Sequence, residues 1–185
     1  MVDAGSPMVF VRARDLGLIG IESPSEIDSD PRMLALLEDI RTTAAVAMGI
    51  APDKATAHEK IRAVPMVAFV SQPQDYRSHI TGQDVRAESI DFVSRDMFMG
   101  IMHKTYSVTA CVCTGCAAVT PGTIVNEMMG VDTCLDDITV RIGHPGGVID
   151  CNMTVENGQI KRAVIGRTAR RIMEGYVYVP RAILD

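Results

Sequence analysis

The sequence contains no tryptophan, and aromatic residues make up only 4% of it. Methionine, by contrast, reaches 12 residues, and apolar residues in total reach 47%. A core with few large rings must be filled by small aliphatic side chains and by methionine, which packs adaptably. We therefore expect a core of alanine, valine, isoleucine and methionine in which backbones approach one another closely.

Long apolar runs are also missing, since none reaches the ~18 residues of a membrane-spanning helix. Residues 1–5 carry neither the basic nor the apolar stretch of a secretory signal. Together with an odd number of cysteines, five, these absences predict a cytoplasmic protein with reduced thiols. The formal net charge of −5 and the lack of a basic cluster exclude nucleic acid and an anionic membrane as expected partners.

A chain of 185 residues buries roughly 70% of its unfolded surface, enough for one core and too little for two ordinary domains. We therefore expect a single domain over residues 1–185. The first buried strand follows the N-terminus with almost no leading tail, which suggests a chain cut at a domain boundary. The sequence leaves the oligomeric state open, a homo-oligomer included.

Apolar periodicity predicts a mixed α+β fold. The clearest helix spans residues 30–48, with Asp30 as N-cap and Pro31 at the first helical position, and a short exposed helix is expected within 53–62. Asn157 and Gly158 predict a tight hairpin turn. Residues 167–174 are expected to form one or two helical turns. Strands are predicted at residues 8–11, 18–21, 65–70, within 85–99, and at 138–142, 148–155, 160–166 and 176–179.

Residues 107–119 are all small or β-branched, and none is charged. Their length favours a helix that is buried on all sides, with neighbouring strands close to it. The segment contains Cys111, Cys113 and Cys116, a spacing that also suggests a metal site. On a regular helix the three thiols cannot converge on one ion, so packing is the favoured interpretation, although a loop conformation would leave the metal site open.

Three further segments carry groups suited to an anion. His103 and Lys104 directly precede the predicted helix, where an imidazole and a cation beside a helix N-terminus could bind a carboxylate; a solvated turn is the alternative. Residues 143–147 (GHPGG), which we call the glycine turn, could expose backbone N–H groups to a carboxylate or an oxyanion. The alternative is a plain hairpin corner. Ser6 stands on a similar turn, and the basic run 167–171 is interpreted as a solvated helix face.

Taken together, four motifs in this order resemble the C-terminal half of the PrpF family, which includes 2-methylaconitate, 3-methylitaconate and 4-oxalomesaconate isomerases. Residues 2–11 (VDAGSPMVFV) are similar to the family's D-A-G-N-P-x-V-F-V, and residues 99–103 (MGIMH) to its M-G-x-x-H. Residues 121–126 (PGTIVN) are similar to I-P-G-T-x-V-N. The glycine turn and residues 167–175 (RTARRIMEG) resemble G-H-P-S-G and R-T-A-R-R-x-M-x-G.

The resemblance implies a diaminopimelate epimerase-like fold, with mixed, mostly antiparallel sheets wrapped around a central buried helix at about 107–119. It also implies an active site between two related halves, of which this chain is one. The family's principal lysine and cysteine are then expected on the missing N-terminal half-domain.

The activity implied is a cofactor-independent proton shift in an unsaturated di- or tricarboxylic acid. His103 matches the family's histidine and is the expected catalytic residue, since imidazole titrates near neutral pH. The expected substrate-binding residues are Ser6, Lys104, Gly143, His144, Gly146 and Gly147. Ser6 replaces the family's usual asparagine and Gly146 its serine, so the identity of the acid stays open.

Two other functions are kept as alternatives. The chain could be a catalytically incomplete domain that binds a carboxylate or a partner without turnover. An amino-acid epimerase or racemase on the same fold is the weaker alternative, because that branch uses a catalytic cysteine in each half and no cysteine here stands in a matching position.

Overall fold

A computed structural model describes residues 1–130, 137–167 and 169–181. In these ranges the helices are α1 (Pro24–Asp28), α2 (Pro31–Ala47), α3 (Lys54–Lys60), α4 (Val108–Ala118) and α5 (Ile124–Met129). The strands are β1 (Val2–Asp3), β2 (Pro7–Arg12), β3 (Met66–Ser71), β4 (Tyr76–Arg77), β5 (Asp84–Val85), β6 (Phe92–Phe98), β7 (Ile101–Met102), β8 (Asp137–His144), β9 (Gly147–Glu156) and β10 (Gln159–Ile165).

Eight strands form one sheet in the order β1-β2-β3-β6-β8-β9-β10, with β7 paired to β6, and β4 and β5 form a separate pair. The pairs β2–β3 and β6–β8 are parallel, whereas the other pairs are antiparallel. The prediction of a mixed, mostly antiparallel α+β fold is therefore confirmed. The sheet also brings residues that are far apart in sequence to one edge.

Helix α4 lies at the centre of the larger core and confirms the buried helix predicted at 107–119. Ser107 caps it by accepting the N–H of Ala110 (3.3 Å), and eight of its residues are buried. Strands β1, β2, β8, β9 and β10 all contact it. Gly115 permits the closest approach, since a Cβ there would lie 2.7 Å from Sγ of Cys151 on β9.

The opposite face of the sheet is covered by α2. Alternate residues of the central strands divide between the two layers, because strand side chains point to opposite faces: Met66 and Ala68 contact the α4 core, whereas Val67 and Phe69 contact the α2 core. Asp30 caps α2 as predicted, and α3 lies within the expected 53–62 range. No helix in the described ranges is long and apolar enough to cross a membrane.

The hairpin predicted at Asn157–Gly158 connects β9 and β10, with both residues at positive φ (53° and 73°). The prediction of a strand at 18–21 is wrong, because this segment is an irregular loop. Its backbone N–H groups are satisfied locally: those of Ile19 and Gly20 donate to the carboxylate of Glu22 (2.7 and 2.9 Å). No neighbouring strand is then needed.

The predictions of a helical turn and of a strand at the C-terminal end are also wrong. In the described part of 167–174 there is no helical turn, and residues 176–179 form no strand. Tyr176 and Tyr178 are fully exposed. A short helix or a lone strand has little stability without a surface to pack on or a strand to pair with, and the described chain provides neither to this segment.

Candidate active site

His103 lies between β7 and α4, where the predicted anion site begins. Its backbone N–H donates to the carbonyl oxygen of Asp96 on β6 (2.9 Å). Its ring Nδ1 accepts the N–H of Thr105 (3.1 Å) and lies 3.2 Å from the Thr105 hydroxyl. When the ring is neutral, Nδ1 accepts a hydrogen bond; when the ring is charged, Nδ1–H can donate one to the Thr105 hydroxyl. The imidazole therefore has a hydrogen-bond partner in both protonation states.

Asp96 is a fully buried carboxyl group at the N-terminus of α4. Its Oδ2 accepts the N–H of Ser107 (3.4 Å), while Oδ1 has no hydrogen-bond partner among the described residues. Burial raises the pKa of Asp96 to about 6, against the opposing charge of His103. A carboxyl group that titrates beside an imidazole is typical of a site that moves protons.

The glycine turn joins β8 to β9, with His144 paired to Gly147, so the hairpin-corner interpretation holds for its backbone. The same turn also reaches the His103 loop: a Cβ on Gly146 would lie 3.1 Å from Cγ2 of Thr105 and 3.2 Å from Cε1 of His144. The fold therefore places two of the three predicted anion-binding segments side by side.

The ring of His144 is buried, with 7% of the residue exposed. Its Nδ1 accepts the N–H of Gly146 (3.1 Å). Burial, followed by the positive charge of Arg95, lowers the pKa of His144 to about 4. His144 is thus a neutral imidazole at physiological pH, unlike the cation that an anion-binding histidine usually provides.

A cleft beside His144 is lined by Asp150, Asn152 and Arg167. The positive charge of Arg167 also lowers the pKa of His144. The sequence predicted a solvated helix face for the basic run that begins at Arg167, and that prediction is wrong, because the run forms no helix where it is described and its first member lines the cleft.

The remaining predicted ligands are Lys104 and Ser6. Lys104 is exposed and lines a second groove with Ser25, His79 and Ile80. A Cβ on Gly146 would come within 3.2 Å of Ile80, which connects that groove to the glycine turn. Ser6 is buried at the β1–β2 turn, beside Gly5, where a Cβ would lie 3.9 Å from Val112 of α4. Its participation in the same cleft stays a prediction.

Sequence reasoning did not identify Tyr76, Arg95 or Asp96, which surround the two histidines. The only signal was a charged pair, Arg95-Asp96, inside a strand that is otherwise apolar or small. Alternation sends the two side chains to opposite faces of the sheet: Asp96 bonds to Ser107 on the α4 side, and Arg95 lies over the ring of Tyr76 on the other, with Cζ 5.0 Å from its centroid.

Cys111, Cys113, Cys116 and Cys151 are buried free thiols, and Cys134 lies outside the described residues. The thiol of Cys111 interacts with the thiol of Cys151 on β9, whereas Sγ of Cys113 lies 3.6 Å from the carbonyl oxygen of Val2. Within the described ranges no three histidine, cysteine, aspartate or glutamate side chains come together to hold a metal ion. The helical conformation and the different neighbours of Cys111 and Cys113 agree with the packing interpretation.

These features define an α+β domain of diaminopimelate epimerase-like fold, with His103 and the carboxyl group of Asp96 at the N-terminus of its central helix and with His144 in the adjoining glycine turn. The chain belongs to the PrpF family, whose model (PrpF protein) matches residues 1–180. The family resemblance inferred from the four motifs is confirmed.

Known relatives match along almost the whole chain. A 3-methylitaconate isomerase of Eubacterium barkeri is 48% identical over 100% of this chain and 48% of its own length. A 2-methyl-aconitate isomerase of Shewanella oneidensis is 38% identical over 98% of this chain and 45% of its own length.

Among solved structures, a crystal structure of methylitaconate-delta-isomerase superposes with a TM-score of 0.87 and 48% identity, over 98% of this chain and 46% of that one. The chain therefore spans about half the length of the relatives it matches. The site described above therefore contains residues from the matched half alone.

Proposed function

We propose that this chain forms one half of the active site of an isomerase that moves a double bond in an unsaturated di- or tricarboxylic acid, with 3-methylitaconate and 2-methylaconitate as the first candidates. The observation that carries the proposal is the placement of His103 beside the buried carboxyl group of Asp96, with His144 in the glycine turn that meets Thr105, in a chain 48% identical to a 3-methylitaconate isomerase. A substrate of this class brings two or more carboxylates that need fixed donors.

The reaction is a proton shift that needs no oxidant or reductant. A base removes a proton from an allylic carbon, and the electron pair of the broken C–H bond is delocalised over the adjacent double bond and carboxylate. A proton is then delivered at the other end of the allyl system, so that the product has the composition of the substrate. Negative charge develops on the carboxylate oxygens in between, where hydrogen-bond donors stabilise it.

His103 is assigned one of the two proton transfers. It has a hydrogen-bond partner for its Nδ1 in both protonation states, and it adjoins the buried carboxyl group of Asp96. The glycine turn and His144 are assigned to the substrate carboxylate. The second acid–base group is expected on the missing half-domain, and no cofactor enters this scheme.

The test compares the isolated chain of 185 residues with the same chain joined to the half of the Eubacterium barkeri 3-methylitaconate isomerase that it does not match; the joined form is the two-half protein. Each is incubated with 3-methylitaconate or 2-methylaconitate in D₂O, and deuterium at the allylic carbons is followed by ¹H NMR. We expect exchange and isomerisation only with the two-half protein, because half of a site lacks one proton-transfer group.

The outcomes separate the proposed function from its alternative. Turnover by the isolated chain would show that the site is complete without a second half. Carboxylate binding without exchange in either form would favour a binding domain that has no catalytic activity.

A further inference from the structure

Arg95 is a buried cation with no carboxylate hydrogen-bonded to it among the described residues. None of the residue is exposed to solvent. Its Nε donates to the carbonyl oxygen of Glu22 (3.1 Å), its Nη1 to those of Ser94 (3.1 Å) and Gly143 (3.3 Å), and its Nη2 has no partner among the described residues. The carboxylate of Glu22 accepts instead from two N–H groups of its own loop. An uncompensated buried charge is costly to folding, so it calls for an explanation.

Tyr76 links this cation to the glycine turn. Its ring lies 5.0 Å from Cζ of Arg95, and its hydroxyl is 2.9 Å from the carbonyl oxygen of His144 and 2.6 Å from that of Gly147. Gly143 has no room for a side chain here, since a Cβ would lie 2.8 Å from Ile90 and 3.1 Å from the Tyr76 hydroxyl. The turn is thus held from inside the protein by two side chains that do not face the cleft carrying Asp150, Asn152 and Arg167.

Arg95 also acts on the ring of His144 through its charge, whereas Tyr76 holds the backbone of the same residue through its carbonyl oxygen. Because Nδ1 accepts the N–H of Gly146, the single proton of the neutral ring resides on Nε2. The charged groups that act on this ring are the cations Arg95, Arg167 and, when protonated, His103, and all three oppose a second proton. A backbone hydrogen bond to Val148 acts in the opposite direction and favours the protonated ring. Asp150 lines the same cleft, and the ring of Tyr106 lies 6.3 Å away.

We propose that Arg95 and Tyr76 are positioning residues for His144: the charge of Arg95 opposes a second proton on the buried ring, and Tyr76 holds the turn so that Nε2–H of His144 donates a hydrogen bond to the substrate carboxylate on which charge develops. This role rests on the proposed function for its ligand, but the state of the ring does not. A neutral donor stabilises the developing charge without transferring its own proton, which leaves proton transfer to His103.

The state of the ring is tested on this chain by NMR, without any activity. Long-range ¹H–¹⁵N spectra distinguish the Nε2–H from the Nδ1–H tautomer, and His144→Gln assigns the signals among the four histidines. We expect the Nε2–H tautomer and a midpoint of titration near 4 for His144. A ring that carries its proton on Nδ1, or that titrates like an exposed histidine, would overturn the proposal before any variant is made.

The role of the cation is tested by Arg95→Met, with Arg95→Lys as the conservative variant. We expect Arg95→Met to raise the midpoint of His144 by on the order of half a unit or more, because a nearby positive charge is removed while burial remains, and Arg95→Lys to restore most of the shift. The matched control is Arg41→Met, which removes a buried arginine that bonds to Glu38 and should leave His144 unchanged. A folded Arg95→Met chain with an unchanged His144 would contradict the proposal.

In the two-half protein, Tyr76→Phe removes the hydroxyl that holds the turn. We expect kcat to fall about 10-fold with a smaller change in KM, since the donor acts on charge that develops in the transition state. A merely structural tyrosine would lower thermal stability without this split. If no turnover is found in any form, the proposed function fails, while the NMR result still decides the state of His144.

Discussion

The rings of His103 and His144 are held by the same local hydrogen bond, in which Nδ1 accepts the N–H of the residue two positions further along the chain. Their surroundings then differ. Nδ1 of His103 also lies 3.2 Å from a hydroxyl, and the ring adjoins the carboxyl group of Asp96, whereas cations act on His144. The two rings therefore have different electrostatic surroundings, although the chain holds them alike.

Replacing His103 by alanine should reduce turnover by the two-half protein. If His103 transfers a proton, kcat falls by about 10²–10⁴-fold, whereas a residue that only holds the ground-state carboxylate raises KM instead. The matched control is His58→Ala, because His58 is 63% exposed on α3 and bonds to Glu38, away from the cluster. Equal effects of the two substitutions would remove His103 from the mechanism.

The buried carboxyl group of Asp96 should make the stability of the chain depend on pH. Its folded pKa, about 6, lies above the ordinary value of 3.8, so the native state binds more protons than the unfolded state between these values. Stability from this group is therefore present at low pH and is lost as the pH rises through about 6. The loss amounts to roughly 3 kcal/mol.

The measurement is urea unfolding of the parent and of Asp96→Asn at pH 4 and pH 7.5. We expect the variant to gain stability relative to the parent at the higher pH, by on the order of 2–3 kcal/mol. Asp84→Asn, on the exposed side of β5, serves as control and should show no such gain. A constant difference between Asp96→Asn and parent would mean that Asp96 is not held as described.

Gly115→Ala should destabilise the chain even though alanine is the better helix former. The new Cβ would meet Sγ of Cys151 at 2.7 Å and Sδ of Met153 at 3.0 Å. Overpacking costs about 1–3 kcal/mol against a propensity gain of about 1 kcal/mol, so we expect a net loss of up to about 2 kcal/mol.

Thr109→Ala, at an exposed position of the same helix, should leave stability within about 0.5 kcal/mol. Both variants are compared by chemical denaturation. A Gly115→Ala chain as stable as the parent would show that α4 and β9 are not in close contact.

The native thiols should react slowly. Burial raises the pKa of Cys113 to about 11 and also raises that of Cys116, and thiolate, not thiol, is the reactive form. Of the five thiols, at most Cys134 should react rapidly with Ellman's reagent at pH 7.5, and all five should react in denaturant. Elemental analysis under reducing conditions should find no stoichiometric zinc or iron; rapid reaction of two or more thiols, or one metal per chain, would contradict the packing interpretation.

Much of the fold was predictable because its signals are local. Asp30 followed by Pro31 marks the start of α2, and Asn157–Gly158 marks the β9–β10 turn, since capping and positive φ depend on one or two residues. The uncharged run of small residues around Gly115 predicted the buried helix for the same reason. The predicted strand at 176–179 was wrong because strand propensity alone does not supply a partner to pair with.

The sequence by itself determined the family, the central helix and the candidates His103 and residues 143–147, since each is encoded within a few neighbouring positions. Only the tertiary structure decided which of them meet and in which state. Contacts between Gly146 and Thr105, and between Tyr76 and His144, join residues about 40 and 70 positions apart. The neutral state of His144 follows from burial and from Arg95 on another strand, because desolvation and Coulomb interactions depend on distance in space and not on order along the chain.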